Sequence, residues 1–412
     1  MTEGLFTVAQ LGARMRYAVP RILEAAGRLE VLYTDVYAKG VMTGLCRLIP
    51  HALRTSRMAR YMDRIPAGIP VHKIRDFRRF GFDYASRRQR ACNASEMSEV
   101  HRWAGKTFCE LILERGLGES GEVYAFNSAA LELFAHCRNN GIRTVLEQTI
   151  ARIETLNELM AMEKAAFPEW VDGRDVEDAG GEMAERERRE RQMADLIISA
   201  SGFVKDSISD EEGVARKTVI VPYGVDIPVR QSVERTRGKM LKVLSVGEVG
   251  LRKGSPYVLA AARKLKGKAT FRMVGLAALP DMVKKILSSE LELVGPVPYS
   301  RMEVHYRWAD VFLLPSLCEG SARAVYEAMS YGLPVICTHN TGSVVRNGLD
   351  GFVVAIRDSS AIVEKLEKFL SDPGVLAEMS GNVAECLEFL KVSAYGRRLL
   401  SAVELRNGED GR

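Results

Sequence analysis

Two glutamates, Glu319 and Glu327, stand eight positions apart around a run of small residues. On a single helix this spacing would separate them by roughly 12 Å along the axis, so we expect Glu319 in a loop and Glu327 inside the helix that follows. Such a pair can hold the two ends of an elongated ligand. The helix N-terminus between them offers backbone N–H groups and a partial positive charge, which suit a diphosphate. Gly320 and Ser321 are small enough to let that backbone approach the ligand closely.

A series of alternating strands and helices must position these glutamates at the end of a parallel sheet. The apolar run 311–314 is a predicted strand, and a helix is expected from about Ala322 to Tyr331, where Gly332 and Pro334 end it. The second half of the chain has further predicted strands and a helix in the same alternation. This pattern is typical of a doubly wound α/β sheet. The strands are expected at 242–246, 270–274, 291–294 and 334–337, and the helix at 256–265.

The first half of the chain repeats the alternation. Its predicted strands are 5–11, 31–33, 122–126, 143–146 and, as the last of this half, 196–200, with a helix over 17–27. The segment 177–191 is rich in Glu and Arg and is predicted to be a solvated helix whose opposite charges pair at helical spacing. Residues 221–225 contain Pro222 and Gly224 and are interpreted as a hinge.

The bulk properties of the chain limit its class. Its 412 residues are too many for one ordinary core, so we expect two lobes, 1–215 with a returning helix at about 388–412, and 222–387. A formal net charge of +5 gives no general case for nucleic-acid binding. No apolar run has the ~18–20 residues that cross a bilayer, and the start of the chain does not resemble a secretory signal. Seven scattered cysteines fit a reduced, cytoplasmic environment.

The run EGSARAVYEAMSYGLPVICT, which begins at Glu319, resembles the E-x7-E motif of retaining GT-B glycosyltransferases of family four. Neighbouring segments resemble the same family in the same order, and the likeness is strong from about Ala194 to Val354 and weak before it. The resemblance implies two doubly wound domains of the GT-B fold that face each other across a cleft. The similar segments are Ala194 to Ser199, Val221 to Asp226, Val246-Gly247 with Lys253-Gly254, Met273 to Gly275, Gly295 to Val297, and Thr341 to Ser343 with Gly348 and Gly351.

The family's residue roles carry over position by position. The resemblance implies that Glu319 binds sugar hydroxyls near the reacting carbon and that Glu327 binds the ribose of a nucleotide. It implies that Lys253 neutralises the departing diphosphate and that backbone near Val297 contacts the base. The remaining expected donor-binding positions are Gly247, Gly320, Ser321 and Ala322. A nucleotide diphosphate sugar would then be a co-substrate, with no further cofactor and no metal ion.

Three departures from the family pattern leave alternatives open. Glu248 stands where many members have a second phosphate-binding arginine, and Arg252 is the candidate substitute. The usual histidine of the first lobe is absent, so Gln148 or Glu147 would take its place, with His101 and His136 as weaker alternatives. The loop Gly12-Ala13-Arg14 replaces a glycine pair, and Arg14 either binds a phosphate of donor or acceptor or is a surface residue.

A basic, partly apolar segment lies between Lys39 and Arg90. It has thirteen basic residues against three acidic ones, with apolar residues such as Leu45, Leu48, Ile49, Leu53, Met58 and Tyr61. Such a surface suits anionic lipid headgroups. The alternative is a basic loop that recognises a charged acceptor or is simply solvated.

The resemblance, together with these features, implies a retaining glycosyltransferase that moves a sugar from a nucleotide diphosphate sugar to a hydroxyl of a glycan or lipid-linked acceptor. It would act in glycan, polysaccharide or glycolipid synthesis, in the cytoplasm or on the inner face of the membrane. The alternative is a non-catalytic binding or scaffold protein of a polysaccharide-assembly system with the same fold. A phosphorylase or epimerase of similar fold ranks lower, since no site for a lysine-bound pyridoxal group is evident.

Overall fold

Two parallel sheets, each covered by helices on both faces, form the core of the molecule. The computed structural model describes residues 4–38, 49, 58, 61, 62, 64–171, 181–225 and 240–404. The first sheet has the strand order β3-β2-β1-β4-β5-β6-β7 and the second β10-β9-β8-β11-β12-β13, and the pairings between their strands are parallel. Short apolar runs such as Val311–Leu314 are buried along their whole length, as strands covered on both faces require.

The first sheet and its helices occupy most of the first half of the chain. The strands are β1 Phe6–Ala9, β2 Leu29–Thr34, β3 Ile74–Asp76, β4 Glu122–Phe126, β5 Arg143–Gln148, β6 Leu196–Ser199 and β7 Thr218–Ile220. The helices are α1 Ala18–Ala25, α2 Arg78–Arg90, α3 Ala94–Arg115, α4 Leu131–Asn139, α5 Ile153–Ala166, α6 Gly181–Met193 and α7 Gly202–Ile208.

The second sheet and its helices follow the predicted hinge. The strands are β8 Leu241–Val246, β9 Ala269–Val274, β10 Glu292–Gly295, β11 Val311–Leu314, β12 Val335–Thr338 and β13 Gly351–Val354. The helices are α8 Ser255–Lys264, α9 Asp281–Glu290, α10 Glu303–Trp308, α11 Arg323–Ser330, α12 Ser359–Ser371, α13 Pro373–Glu385, α14 Leu387–Leu390 and α15 Val392–Glu404. The predicted α/β fold class is confirmed.

We expected the strand at 196–200 to be the last strand of the first lobe, and this prediction was wrong. Strand β7 pairs with β6 through Ile197 and Thr218, so the first sheet continues past residue 215. The edge strand β7 has only three residues, which is too short for a recognisable apolar run.

Helix α6 corrects the prediction of a solvated charged helix over 177–191. Its residues Arg186, Glu187, Glu190 and Arg191 are buried. The Glu190 carboxylate accepts hydrogen bonds from three backbone N–H groups of the turn that leads into α4, at 2.6, 2.9 and 3.1 Å. Arg191 pairs with Glu211 at 2.5 Å. The buried charged residues of this helix therefore have partners inside the protein, because the neighbouring turn supplies donors and other elements supply carboxylates.

Two helices connect the lobes, because each follows elements of one lobe in the chain and packs against the other lobe. Helix α15 places Tyr395 and Leu399 in the core of the first lobe, although it follows the second sheet in the chain. Helix α5 comes directly after β5, yet the segment that follows it buries Trp170 in the core of the second lobe. The predicted hinge lies beneath α15, where Arg398 donates a hydrogen bond of 2.9 Å to the carbonyl of Pro222.

Candidate functional site

The carboxyl ends of strands β8 and β11 bring together Glu319, Lys253 and Arg252. Lys253 and Arg252 lie in a short 3-10 helix, Leu251–Lys253, after β8, and Glu319 lies in the loop after the neighbouring strand β11. The Nζ atom of Lys253 is 2.8 Å from Oε1 of Glu319, and Arg252 donates to the same oxygen at 2.5 Å. One carboxylate faces two cations, so this cluster carries a net positive charge that can attract an anion.

The glycine at position 247 leaves room for the lysine. Gly247 has φ +138°, and a Cβ atom there would lie 3.0 Å from Cε of Lys253. The Lys253 side chain is 14% exposed and is thus held against this loop rather than extended into solvent. Glu248, which stands where the family pattern has an arginine, is exposed.

Gly320 was expected to let the backbone approach a ligand, but in the structure it allows a close contact with another part of the protein. A Cβ at this position would lie 1.7 Å from the carbonyl oxygen of Thr149, in the loop after β5 of the first lobe. The carbonyl of Gly320 also accepts a hydrogen bond of 2.6 Å from Ser201 Oγ. The close approach that Gly320 allows is therefore between the two lobes, and Ser201 and Thr149 are contact residues that the sequence pattern did not indicate.

The residues before helix α11 are less available to a ligand than expected, because they already make hydrogen bonds within the protein. The hydroxyl groups of Ser321 and Tyr326 are 2.7 Å apart, and the N–H of Ala322 donates to the carbonyl of Thr341 at 3.2 Å. Ala322 caps the helix without a side-chain hydrogen bond. The anion-attracting end of the helix consequently depends on the backbone beyond Ala322.

Glu327 is buried inside α11, and it is not the exposed helix glutamate that its sequence context alone would allow. Its Oε2 accepts a hydrogen bond of 2.8 Å from the Tyr306 hydroxyl, and Arg323 lies 3.3 Å from Oε1. Burial raises the pKa of the Glu327 carboxyl above its ordinary value, and Arg323 and Tyr306 act against that rise. Tyr306 was missed because it lies on another helix, and Arg323 was missed because it occupies an unspecified position between the two glutamates of the motif.

The loop after β1 faces the second lobe in an unusual backbone conformation. Gly12 has φ +84°, and the three residues Met15, Arg16 and Tyr17 have φ between +48° and +61°. Strained, left-handed residues of this kind concentrate at functional sites. The Arg14 guanidinium lies 5.9 Å from the ring centre of Phe126 within the first lobe. Ala13 stands directly before the short 3-10 helix that holds Arg14.

Arg16, which the sequence did not single out, reaches across the cleft. Its guanidinium lies over the ring of Tyr299 in the second lobe, 4.8 Å from the ring centre. The same positive charge opposes the rise that burial causes in the pKa of Glu327. Tyr299 follows the loop of Val297, which is half-buried against the second-lobe core. The first lobe therefore contributes a cation beside the predicted nucleotide-binding residues.

The position of the family's histidine is occupied by two buried residues with different surroundings. The Glu147 carboxylate accepts hydrogen bonds of 2.6 Å from both Tyr124 and Tyr223, and burial raises its pKa. Gln148 donates to the carbonyl of Ile150 at 2.9 Å, while its buried Oε1 has no hydrogen-bond partner among the described residues. Of these two residues, Gln148 is therefore the one whose side-chain oxygen is available to accept a hydrogen bond.

The two alternative histidines belong to outer helices of the first lobe. His101 lies on α3 against the ring of Tyr84, and His136 lies on α4 beside Asn140. Among the residues that the structure describes, no group of three His, Cys, Asp or Glu side chains could hold a metal ion. No helix in the described ranges is long and apolar enough to cross a membrane.

Residues 228–385 match the model of the family described as glycosyl transferases group 1. The chain is 29% identical over 196 residues to the putative colanic acid biosynthesis glycosyltransferase WcaL of Salmonella typhimurium, covering 43% of this chain and 48% of WcaL. It is 31% identical over 138 residues to the amylovoran biosynthesis glycosyltransferase AmsK of Erwinia amylovora, covering 30% of this chain and 34% of AmsK. The chain spans about half the length of the first curated relatives that it matches.

Solved structures resemble the whole chain. HepE from Anabaena in complex with UDP superposes with a TM-score of 0.59 at 13% identity, covering 97% of this chain and 99% of HepE. The lipopolysaccharide outer core galactosyltransferase WaaB gives a TM-score of 0.60 at 13% identity, with 97% and 98% coverage. The positions Gly247, Arg252, Lys253, Glu319 and Glu327 all fall inside the matched family segment. The second lobe therefore resembles the glycosyl transferases group 1 family over residues 228–385, and the chain has the GT-B fold.

Proposed function

We propose that the protein transfers a sugar from a nucleotide diphosphate sugar to an acceptor hydroxyl, with retention of the anomeric configuration, in polysaccharide or glycolipid synthesis. The observation that carries the proposal is the cluster of Glu319 with Lys253 and Arg252 at the point where the two lobes meet. Its net positive charge lies in the matched family segment, where a departing diphosphate would need stabilisation. The matched relatives WcaL and AmsK are named for polysaccharide biosynthesis.

Each residue of the cleft has a defined task in this proposal. Lys253 and Arg252 stabilise the negative charge that develops on the leaving diphosphate, which also takes the acceptor proton. When the donor binds, the Glu319 carboxylate gives up its ion pair with one of the two cations and binds sugar hydroxyls instead. The Glu327 side chain turns toward the ribose. The free Oε1 of Gln148 accepts a hydroxyl of the transferred sugar. The base lies against backbone near Val297.

The proposed acceptor is a glycan or a lipid-linked glycan, and the lobe of the first sheet is its side of the cleft. Much of the basic segment, including Leu45, Leu48 and Leu53, lies outside the described residues. Within the described part, Phe82 on α2 is 67% exposed beside Arg78 and Arg79. Several other basic residues are engaged in ion pairs, such as Arg64 with Asp35 at 2.8 Å. Helix α2 therefore supports contact with an anionic membrane surface at the inner leaflet, and nucleic acid is not a proposed partner.

A thermal-shift screen with UDP-, GDP-, ADP- and TDP-sugars tests donor binding. A ligand at 100 times its Kd stabilises the native state by about 2.7 kcal/mol, so one nucleotide class should raise the melting temperature clearly. Lys253→Ala should abolish the shift, whereas Lys284→Ala, an exposed lysine on α9, should leave it intact. Equal behaviour of the two variants, or no shift with any donor, would refute the proposal.

A second candidate, a non-catalytic binding protein of the same fold, is favoured by one observation. Glu147, at the histidine position, is fully engaged by two tyrosines and cannot reach a substrate in this arrangement. Donor hydrolysis measured without acceptor separates the two functions. A slow release of nucleotide that depends on Lys253 supports the transferase, whereas donor binding with no turnover under any condition supports the binding protein.

A further inference from the structure

A large cavity lies on the first lobe, outside the donor cluster. Its volume is about 640 Å³, within the usual range for small-ligand sites. Helices α2, α3, α4 and α6 line it. Leu131, the first residue of α4, and Glu182, in the first turn of α6, are among the lining residues. In a parallel sheet, helices that lie between strands begin near the strands' carboxyl ends, so Leu131 places one part of the cavity wall near the edge of the sheet that faces the cleft.

The cavity wall combines an aromatic ring with an excess of positive charge. Five basic side chains and three glutamates line it. The half-buried Trp103 provides the aromatic surface, and the guanidinium of Arg87 is stacked 4.1 Å from its ring centre. Rings of this kind bind the apolar faces of sugars, while nearby cations bind carboxylates or phosphates.

Two of the cations are available for a ligand. Arg189 is exposed and has no ion-pair or hydrogen-bond partner among the described residues. Lys106 is 62% exposed, and its Nζ lies 3.8 Å from Glu110, which is too long for a strong hydrogen bond. Arg186 is already committed, because it is bound to Glu132 at 2.6 and 2.8 Å. Arg189 and Lys106 are therefore the groups with which an anion would pair.

Hydrogen bonds and one close backbone contact connect this cavity to the loop of Glu319. Arg186 in the cavity wall donates at 2.9 Å to the carbonyl of Ser128, whose φ is +74°. The preceding residue, Asn127, donates to Glu187 at 2.8 Å and accepts from the Thr149 hydroxyl at 2.8 Å. The Thr149 carbonyl is the group that packs against Gly320. The wall of the cavity thus holds the turn and the loop against which the donor residues pack.

We propose that this cavity is an acceptor subsite for an anionic saccharide, in which Trp103 contacts a sugar ring and Arg189 with Lys106 binds its carboxylate or phosphate. The assignment rests on the proposed transferase function, and it places the charged part of the acceptor on the side of the first lobe. Binding should weaken as salt rises, since exposed ion pairs are screened over about 10 Å at 0.1 M salt.

Isothermal titration of the full chain tests the subsite without any donor. The probes are a tetrasaccharide of alternating glucuronate and N-acetylglucosamine, neutral chitotetraose, and glucose 1-phosphate. We expect the carboxylated or the phosphorylated probe to bind at least tenfold more tightly than chitotetraose, and the stronger of the two identifies the source of the charge. Arg189→Glu should weaken that binding at least tenfold, whereas Arg138→Ala, an exposed arginine on α4 outside the cavity, should not change it.

The outcomes separate this inference from the proposed function. Equal binding of charged and neutral probes, absence of binding, or an unchanged affinity in Arg189→Glu would overturn the subsite, even where donor binding persists. Anionic binding that depends on Arg189 in a protein that binds no nucleotide sugar would uphold the cavity as a saccharide site and refute the transferase. Because Arg189 is exposed, its replacement should leave the melting temperature unchanged, which verifies that the variant is folded.

Discussion

Gly320 is a residue at which the two lobes approach each other closely. A methyl group there would meet the Thr149 carbonyl at 1.7 Å, a distance that backbone atoms cannot accommodate without movement. We expect Gly320→Ala to displace the adjacent Glu319 and to reduce turnover of the donor at least tenfold, because misplacement of about 1 Å can cost roughly a hundredfold in rate. Steady-state kinetics with the donor identified by the screen provides the measurement.

Gly121→Ala is the matched control for that substitution. Nothing lies within 4 Å of the position that its Cβ would take, so the same chemical change is made without a collision. Its kinetics should equal those of the unmodified protein. Full activity in Gly320→Ala would show that the Thr149 contact does not determine the position of Glu319.

Glu190 should make the stability of the fold depend on pH. Burial raises the pKa of this carboxyl to about 7, so between the ordinary value of about 4.5 and pH 7 the native state holds a proton that the unfolded state has lost. The contribution of Glu190 to stability is therefore complete below pH 4.5 and is lost as pH rises through 7. We expect Glu190→Gln to remove a decrease on the order of 2 kcal/mol in the free energy of unfolding between pH 5 and pH 8.

Urea unfolding at the two pH values measures this difference. Glu364→Gln, with a side chain that is 71% exposed, should retain the pH dependence of the unmodified protein. An identical pH dependence in the protein with and without Glu190 would contradict the assignment of the raised pKa to this residue.

The donor-side residues could be predicted from the sequence, whereas their partners could not. Glu319, Lys253 and Arg252 lie in the segments that follow the apolar strands β11 and β8, so the topology alone brings them to one edge of the sheet. Arg16 and Tyr306 depend on how the lobes pack and on a distant helix, which no local spacing encodes. The catalytic and binding roles themselves remain predictions.

At the scale of elements, helix α5 is a bridge between the two halves of the chain. Its Glu163 is fully buried and accepts hydrogen bonds from Tyr257 at 2.9 Å and from Arg357 at 2.6 Å, both in the second lobe. Phe167, which directly follows the helix, meets the Tyr257 ring edge-on. Removal of one partner from a buried pair typically costs several kcal/mol, because the other charge is left without compensation.

We expect Glu163→Ala to lower the free energy of unfolding by about 2–4 kcal/mol, since it leaves Arg357 and Tyr257 without their acceptor. Glu364→Ala, at an exposed pair with Lys365, should change it by less than about 0.5 kcal/mol. Chemical denaturation followed by tryptophan fluorescence would report both, because Trp170 lies in the core that α5 approaches. A loss as small as that of the control would show that the bridge adds little to stability.

The elements that sequence patterns missed share a physical property. Strands β3, β7 and β13 lie at sheet edges and have three or four residues, so their apolar runs are too short to stand out. Central strands such as β11 were predicted correctly because burial on both faces demands a continuous apolar run. The prediction for helix α6 was wrong for a different reason. Its many charged residues are typical of a solvent-exposed helix, but the turn at Ser128 provides hydrogen-bond partners for Glu187 and Glu190 inside the protein.

For the whole molecule, the returning helix α15 closes the first lobe. Tyr395, Leu399 and Val403 are fully buried in the first-lobe core, and Arg143 donates at 2.7 Å to the carbonyl of Val403. A chain that ends at Lys391 would expose this apolar surface. We expect it to be insoluble or to lose cooperative unfolding, whereas a chain that ends at Glu404 should melt like the full chain. Solubility and circular dichroism melting distinguish the two, and a soluble, cooperative Lys391 truncation would contradict the assigned role.

The bridge α5 and the returning helix α15 also affect how such proteins can be recombined. A hybrid made by one crossover at the hinge would join a foreign second lobe to a native α5, so that Glu163 would meet unfamiliar partners, and it would carry a foreign α15 onto the native first lobe. An exchange of the first lobe between two chains of this fold should therefore transplant the first half and α15 together, with Tyr257 and Arg357 retained opposite α5. The two lobes are exchangeable units only when these two helices are treated as part of the lobe that they contact.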